Sequence, residues 1–193
     1  KGLKVLEIGS GRGGGCSYIT KYLEPAQMIG LDISASAVKF CNTIYNLDNL
    51  DFYQGNAEVL PFDDNTFDVV INIESSHCYT SMSKFISEVS RVLKVDSHFL
   101  FCDLRRDIYI EEMLRDINTN GLSLVSYTDI SSNIITATTA MSDDRQESIN
   151  KLDVSWFKKN ILESFAAIKG SKVHQSFTDG YLQYISAICI NIK

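Results

Sequence analysis

The sequence has no run of eighteen apolar residues, no C-x-x-C pair and no dense Lys/Arg face, and each absence removes a class of protein. Without so long an apolar run, integral membrane insertion is not expected. The five cysteines (Cys16, Cys41, Cys78, Cys102, Cys189) are odd in number and mostly sit inside apolar runs. That fits reduced thiols buried as small hydrophobes and points to a cytoplasmic setting. No signal peptide is visible, although Lys1 lies almost on the first strand, so residues upstream of it are expected. The formal net charge is −6, with the pair Arg105-Arg106 standing out, and neutralising phosphates takes a basic face, so nucleic acid is not an expected partner. The three histidines and five cysteines are scattered, and no metal site is expected. Repeats and low-complexity tracts are absent too, which leaves a soluble globular protein with a small-molecule partner.

What is present is enough chain, 193 residues, for one domain with a full core, 1–193. Hydrophobic periodicity predicts strands at 4–8, 27–33, 51–54, 67–73 and 98–103, with helices at about 14–24, 35–46 and 83–94 between them. Such alternation implies an α/β architecture, a doubly wound, mostly parallel sheet covered on both faces. Beyond a core of about 1–130, which adds a helix at 107–118 and a strand at 122–127, a helical insert spans about 131–179. A last strand follows at 181–191 and is placed antiparallel beside 122–127. In the insert, Trp156, Phe157, Ile161, Leu162 and Phe165 read as a core-facing stripe, with a lid or a homodimer contact as alternatives.

Sheets of this kind bind ligands beyond the carboxyl ends of their strands, where the strand order reverses. "VLEIGSGRGGG" (5–15) lies at such an end and contains Gly9-x-Gly11-x-x-Gly14, a spacing shared with dinucleotide-binding loops. The loop alone leaves open whether it holds a dinucleotide or a nucleoside without phosphates. Glu7, two residues earlier, would repel a pyrophosphate, and it is suited to organising the loop or attracting a cation. Asp32 ends the second strand, where a carboxylate accepts hydrogen bonds from ribose hydroxyls, while Ser34 is the better cap for the following helix. Gly55-Asn56-Ala57 is placed to meet an adenine edge, or else forms a simple turn.

Together, Glu7-x-Gly9-x-Gly11-x-Gly13, Asp32, "GNAEVLPFDDNTFDVV" (55–70) and "FISEVSRVLK" (85–94) resemble the class I S-adenosylmethionine-dependent methyltransferases, over about residues 3–105. "INIESSHCY" (71–79), "FLFCDLR" (99–105) and the tail from "GSKVHQSF" to "GYLQYI" are most similar to the phthiotriol and phenolphthiotriol dimycocerosates methyltransferases and their small-molecule O-methyltransferase relatives. The resemblance implies a Rossmann-like sheet of seven strands with the last antiparallel, and S-adenosyl-L-methionine as cofactor. It also implies cofactor contacts from Glu7, Gly9, Ser10, Gly11, Asp32, Ile33, Asn56 and Ala57, with Asn72 near the methionine end. The expected activity is methylation of a hydroxyl on a hydrophobic acceptor, lipid or polyketide in type. Two departures stand out. Asn56 replaces the family's usual Asp, and Val95-Asp96-Ser97, expected to be a surface turn, replaces its Pro-Gly-Gly. The helices that help cover the cofactor in such enzymes would precede residue 1.

Methylating an alcohol requires a base. His77 lies just past the fourth strand, and histidine is the side chain whose unperturbed pKa, about 6.5, suits proton abstraction near neutrality. Asp103, read as ending the neighbouring fifth strand, is expected to orient it, and His77 and Asp103 are the catalytic candidates. Glu74 and Tyr79 are secondary candidates, for holding the loop and lining the acceptor pocket. Cys78 reads as packing, and His98 and His174 fall away from the cofactor motifs. Two other readings are a non-catalytic cofactor-binding homologue and a nicotinamide-dependent oxidoreductase.

Overall fold

Strand β1 (Lys4–Ile8) is buried from Val5 onward, as expected of a strand with neighbours on both edges and covered faces. It pairs in parallel with β2 (Gln27–Asp32) and with β4 (Phe67–Ile73). β2 pairs in parallel with β3 (Leu50–Gln54), and β4 with β5 (Leu93–Arg106). With β6 (Leu122–Asp129) and β7 (Leu182–Asn191), the order is β3-β2-β1-β4-β5-β7-β6, antiparallel at β5-β7-β6. The expected seven-stranded, mostly parallel sheet is therefore the one observed. Its order reverses between β1 and β4, which sets the ligand crevice at their carboxyl ends. The computed structural model describes residues 1–193, except for the side chains at 157, 160 and 165.

The crossovers are helices α1 (Gly14–Leu23), α2 (Ala35–Ile44) and α3 (Met82–Val92). Ser34 caps α2, its Oγ accepting from the Ala37 N–H at 3.3 Å. Ser81 caps α3 in the same way through Lys84. On α3 the spacing of Phe85, Ile86, Val89 and Val92 makes one apolar stripe, and all four are fully buried. Full burial of each such side chain contributes about 1.5–3 kcal/mol. The expected surface turn at 95–97 is corrected: α3 runs directly into β5, and these residues belong to the strand. The register jumps between Phe67↔Leu93 and Val69↔His98, and Asp96 takes a left-handed conformation (φ 59°), so a bulge absorbs what a turn was expected to supply. β5 also runs on to Arg106, so Asp103 lies inside it and not at its end.

The chain divides into two compact units. One comprises Lys1–Asp103, Glu111–Tyr127 and Ser186–Lys193 and contains every candidate site residue. It includes α4 (Ile110–Thr119) but for its first residue. The other comprises Leu104–Ile110 and Thr128–Ile185, with helices α5 (Ser131–Ala140), α6 (Ser142–Asn150), α7 (Trp156–Phe165) and α8 (Lys172–Thr178). Ile149, Ile168, Phe177 and Tyr184 are buried there. The predicted core-facing stripe is not what α7 presents, because Trp156 and Ile161 are both exposed. They lie about 140° apart around an α-helix, so no single face holds both. Phe157 and Phe165, of the same stripe, lie outside the described side chains. Among the described residues no helix is long and apolar enough to cross a membrane, and no His/Cys/Asp/Glu group could hold a metal ion.

Candidate active site

The loop after β1 is built around a buried acid. Glu7 points beneath the first turn of α1, where its Oε2 accepts from Cys16 Sγ at 2.8 Å and its carboxylate also takes the Cys16 backbone N–H. Burial raises the Glu7 pKa, and those hydrogen bonds partly offset the rise. The water-facing strand-end charge is thus excluded. The N-cap position of α1 is Gly13, which offers no side chain, so Glu7 does the capping from a distance. Gly15 makes the approach possible: a Cβ there would lie 2.5 Å from Glu7 Oε1. Gly9 has φ 75°, and a Cβ on it would collide with Ser75, so the loop lies tight against the end of β4. A helix start neutralised by the protein's own carboxylate is a poor seat for a pyrophosphate.

Next to this loop, Asp32 is held by two backbone amides. Gly11 N donates to Oδ2 and Ser34 N to Oδ1, each at 2.8 Å. Gly9 N and Ser10 N donate to the Leu31 carbonyl, so the loop and the end of β2 form one rigid rim. Ile33 stands beside it, 72% exposed, an apolar side chain at a polar rim. The loop after β3 joins the same rim, with Gly55 N donating to the Asp32 carbonyl at 3.0 Å. Asn56 is exposed, its Oδ1 accepting from Glu58 N at 2.9 Å, and Ala57 is buried. Glu58 in turn accepts from Thr80 N and Ser81 N, tying this loop to the one that follows β4.

At the carboxyl end of β4, Asn72 is wholly buried. Its Nδ2 lies 3.0 Å from the Ile8 carbonyl, 2.7 Å from Ser75 Oγ and 3.1 Å from Tyr79 Oη. A carbonyl only accepts, so the contact with Ile8 fixes which way the amide faces. Burial raises the Tyr79 pKa, keeping its hydroxyl protonated within this cluster. Two buried side-chain atoms there have no hydrogen-bond partner, Asn72 Oδ1 and Ser10 Oγ. Buried polar atoms in folded proteins are almost always paired, and unpaired ones at the mouth of a crevice suit a polar ligand.

Past Asn72 the chain turns through Glu74 (φ 54°) into a short 3-10 turn, Ser76–Cys78. That turn brings His77 Nδ1 to 2.7 Å from Asp103 Oδ1. Asp103 is wholly buried, and its Oδ2 accepts from Ser76 Oγ at 2.5 Å and from the His77 backbone N–H at 3.0 Å. The His77 side chain is 31% exposed. With Nδ1–H donating to the carboxylate, the ring's acceptor nitrogen is Nε2.

A family model described as a methyltransferase domain matches residues 1–178. The chain belongs to that family. The phthiotriol/phenolphthiotriol dimycocerosates methyltransferase of Mycobacterium leprae is 34% identical over 183 residues, 95% of this chain and 67% of that protein. A fatty-acid O-methyltransferase of Mycolicibacterium smegmatis is 39% identical over 135 residues, 70% of this chain and 49% of that protein. The geranyl diphosphate C-methyltransferase of Streptomyces coelicolor A3(2), solved with Mg2+, geranyl diphosphate and S-adenosyl-L-homocysteine, has a similar fold. Its TM-score is 0.75 at 18% identity, covering 98% of this chain and 74% of that one.

This methyltransferase is accordingly an enzyme, and the cofactor of its family is S-adenosylmethionine. The site fits such a group, with an acid rim for a ribose, an exposed apolar side chain beside it, and two unpaired buried polar atoms further in. The structure brings Gly9, Ser10, Gly11, Asp32, Ile33 and Asn72 to neighbouring strand ends, and the Gly55 hydrogen bond draws Asn56 and Ala57 to the same rim. Glu7 belongs to the layer beneath. The reading of Cys78 as packing is corrected, since it is exposed on the turn. Sequence reasoning passed over Ser75, Ser76 and Glu58, because two serines in a turn and an acid in a loop carry no local signal of the partners they meet.

Proposed function

We propose that this methyltransferase carries a methyl group from S-adenosylmethionine to a hydroxyl oxygen on a hydrophobic small molecule of lipid or polyketide type. The observation that carries the reading is the 2.7 Å contact between His77 and the buried Asp103, with the imidazole edge exposed. When bound, the cofactor supplies an electrophilic methyl on a positively charged sulfur. The chain must then align an acceptor and take its proton. Asp103 holds Nδ1–H, Nε2 accepts the hydroxyl proton, and the buried carboxylate stabilises the imidazolium that results.

For the cofactor, Asp32 retains lone pairs for ribose hydroxyls, and Ile33 presents an apolar surface for adenine. Asn56 and Ala57 sit at the adenine edge, Gly9 and Gly11 keep the loop low, and Ser10 Oγ and Asn72 Oδ1 meet the polar methionine end. Relatives named for phthiotriol dimycocerosates and for fatty acids support a hydrophobic acceptor. Five free thiols support a reducing, cytoplasmic setting. His77→Ala should keep cofactor binding, read by titration with S-adenosylhomocysteine, while turnover falls by about 10²-fold or more. Unchanged turnover in that variant would remove His77 from the chemistry.

A further inference from the structure

A carboxylate orients an imidazole well only if the carboxylate is itself held. Asp103 is wholly buried on β5, and both of its oxygens are engaged. Oδ1 meets His77 Nδ1, whereas Oδ2 receives the Ser76 hydroxyl at 2.5 Å and the His77 backbone N–H at 3.0 Å. Ser76 is itself buried. We propose that Ser76 is a positioning residue for methyl transfer, its hydroxyl occupying Asp103 Oδ2 so that Oδ1 alone faces His77 and the imidazole keeps its proton on Nδ1. The inference deepens the reading of His77 as the base and rests on it.

An ionised carboxylate only accepts, so a histidine facing it must present N–H. A carboxylate less firmly held offers its oxygens at varying angles, so the ring leaves it for part of the time, and nothing then keeps the proton on Nδ1. With Oδ2 saturated by one side-chain donor and one main-chain donor from the same turn, Ser76–His77 clamps the acid and the base together. The second donor is backbone and fixes position, while the hydroxyl is the part a substitution can remove. Charge-assisted hydrogen bonds of this length are the strong ones, and loss of one inside a protein leaves a buried charged oxygen short of a partner.

Ser76→Ala should lower kcat by about tenfold with KM for both substrates little changed, because the lost bond acts on the aligned base and not on binding. Ser76→Thr, which keeps the hydroxyl, should restore most of that loss. Nitrogen-15 NMR of the His77 ring reads the clamp directly in the cofactor-free protein. In the wild type at alkaline pH the proton should reside on Nδ1, and in Ser76→Ala the signals should show a mixture of tautomers, with thermal melting confirming that the variant is folded. A folded Ser76→Ala protein with the wild-type tautomer and wild-type kcat would overturn the proposal. A shifted tautomer in Ser76→Ala, together with full activity in His77→Ala, would instead uphold the clamp and overturn the role of the base.

Discussion

A carboxylate with no solvent contact has to satisfy its lone pairs from the protein, and among the donors that Asp103 finds are Ser76 and His77. Replacing it with asparagine keeps size and shape but puts an NH2 group where an acceptor stood. The amide would donate to Nδ1, driving the ring proton to Nε2, where it blocks acceptance of a proton from substrate. Asp103→Asn should therefore lose about 10²-fold or more in kcat with cofactor affinity unchanged, as steady-state kinetics and calorimetry would show. Turnover within twofold of wild type would mean that the acid does not set the tautomer. Both members of this pair were legible from the sequence, since each sits next to an apolar run that ends at the carboxyl edge of a parallel sheet. Ser76 was not legible, because a serine in a turn is ordinary and its partner is 27 residues away.

Among the elements, α1 shows most plainly how local rules and tertiary structure share the work. Its start has no capping side chain of its own, and the glycine-rich loop that lets the backbone pass close to β4 also deprives the helix of a cap. Glu7 fills that gap from the neighbouring strand. Its pKa is raised in the folded protein, chiefly by burial, so the folded state binds that proton more tightly than the unfolded chain does. The stability linked to this group is fully present below the unfolded pKa and is lost as pH rises through the folded value. Glu7→Gln removes the titration, so stability relative to wild type should improve as pH rises from about 5 to about 8, as urea unfolding at the two pH values would reveal. A difference between the two proteins that stays constant with pH would show that the buried acid is not the group responsible. The sequence signalled an acid at a strand end with an organising role. It could not signal the helix above it, since the contact depends on the missing Cβ of Gly15. The β5 bulge was hidden for a related reason: Val95-Asp96-Ser97 looks like a turn in local composition, and pairing with β4 holds it in a strand.

For the molecule as a whole, alternation of apolar runs with amphipathic segments carried the parallel part of the sheet, because a buried strand and a covering helix each need their own hydrophobic period. The insert was legible only as helical. Its expected apolar stripe ran too far around α7 to form one face, and Trp156 and Ile161 are exposed. At the crevice, three layers work together: Glu7 under α1, the Asp32 rim with Asn72 at the strand ends, and the His77–Asp103 pair beside them. The first disfavours phosphates, the second suits a nucleoside with a polar tail, and the third suits an acceptor that must lose a proton. The account as a whole therefore depends on which atom receives the methyl group. Methyl-labelled S-adenosylmethionine should be incubated with the enzyme and a long-chain hydroxylated lipid, and separately with the same lipid lacking the hydroxyl, and the products located by mass spectrometry. The account predicts label in a methyl ether from the first acceptor and none in the second; label on carbon, or equal transfer to both, would contradict it.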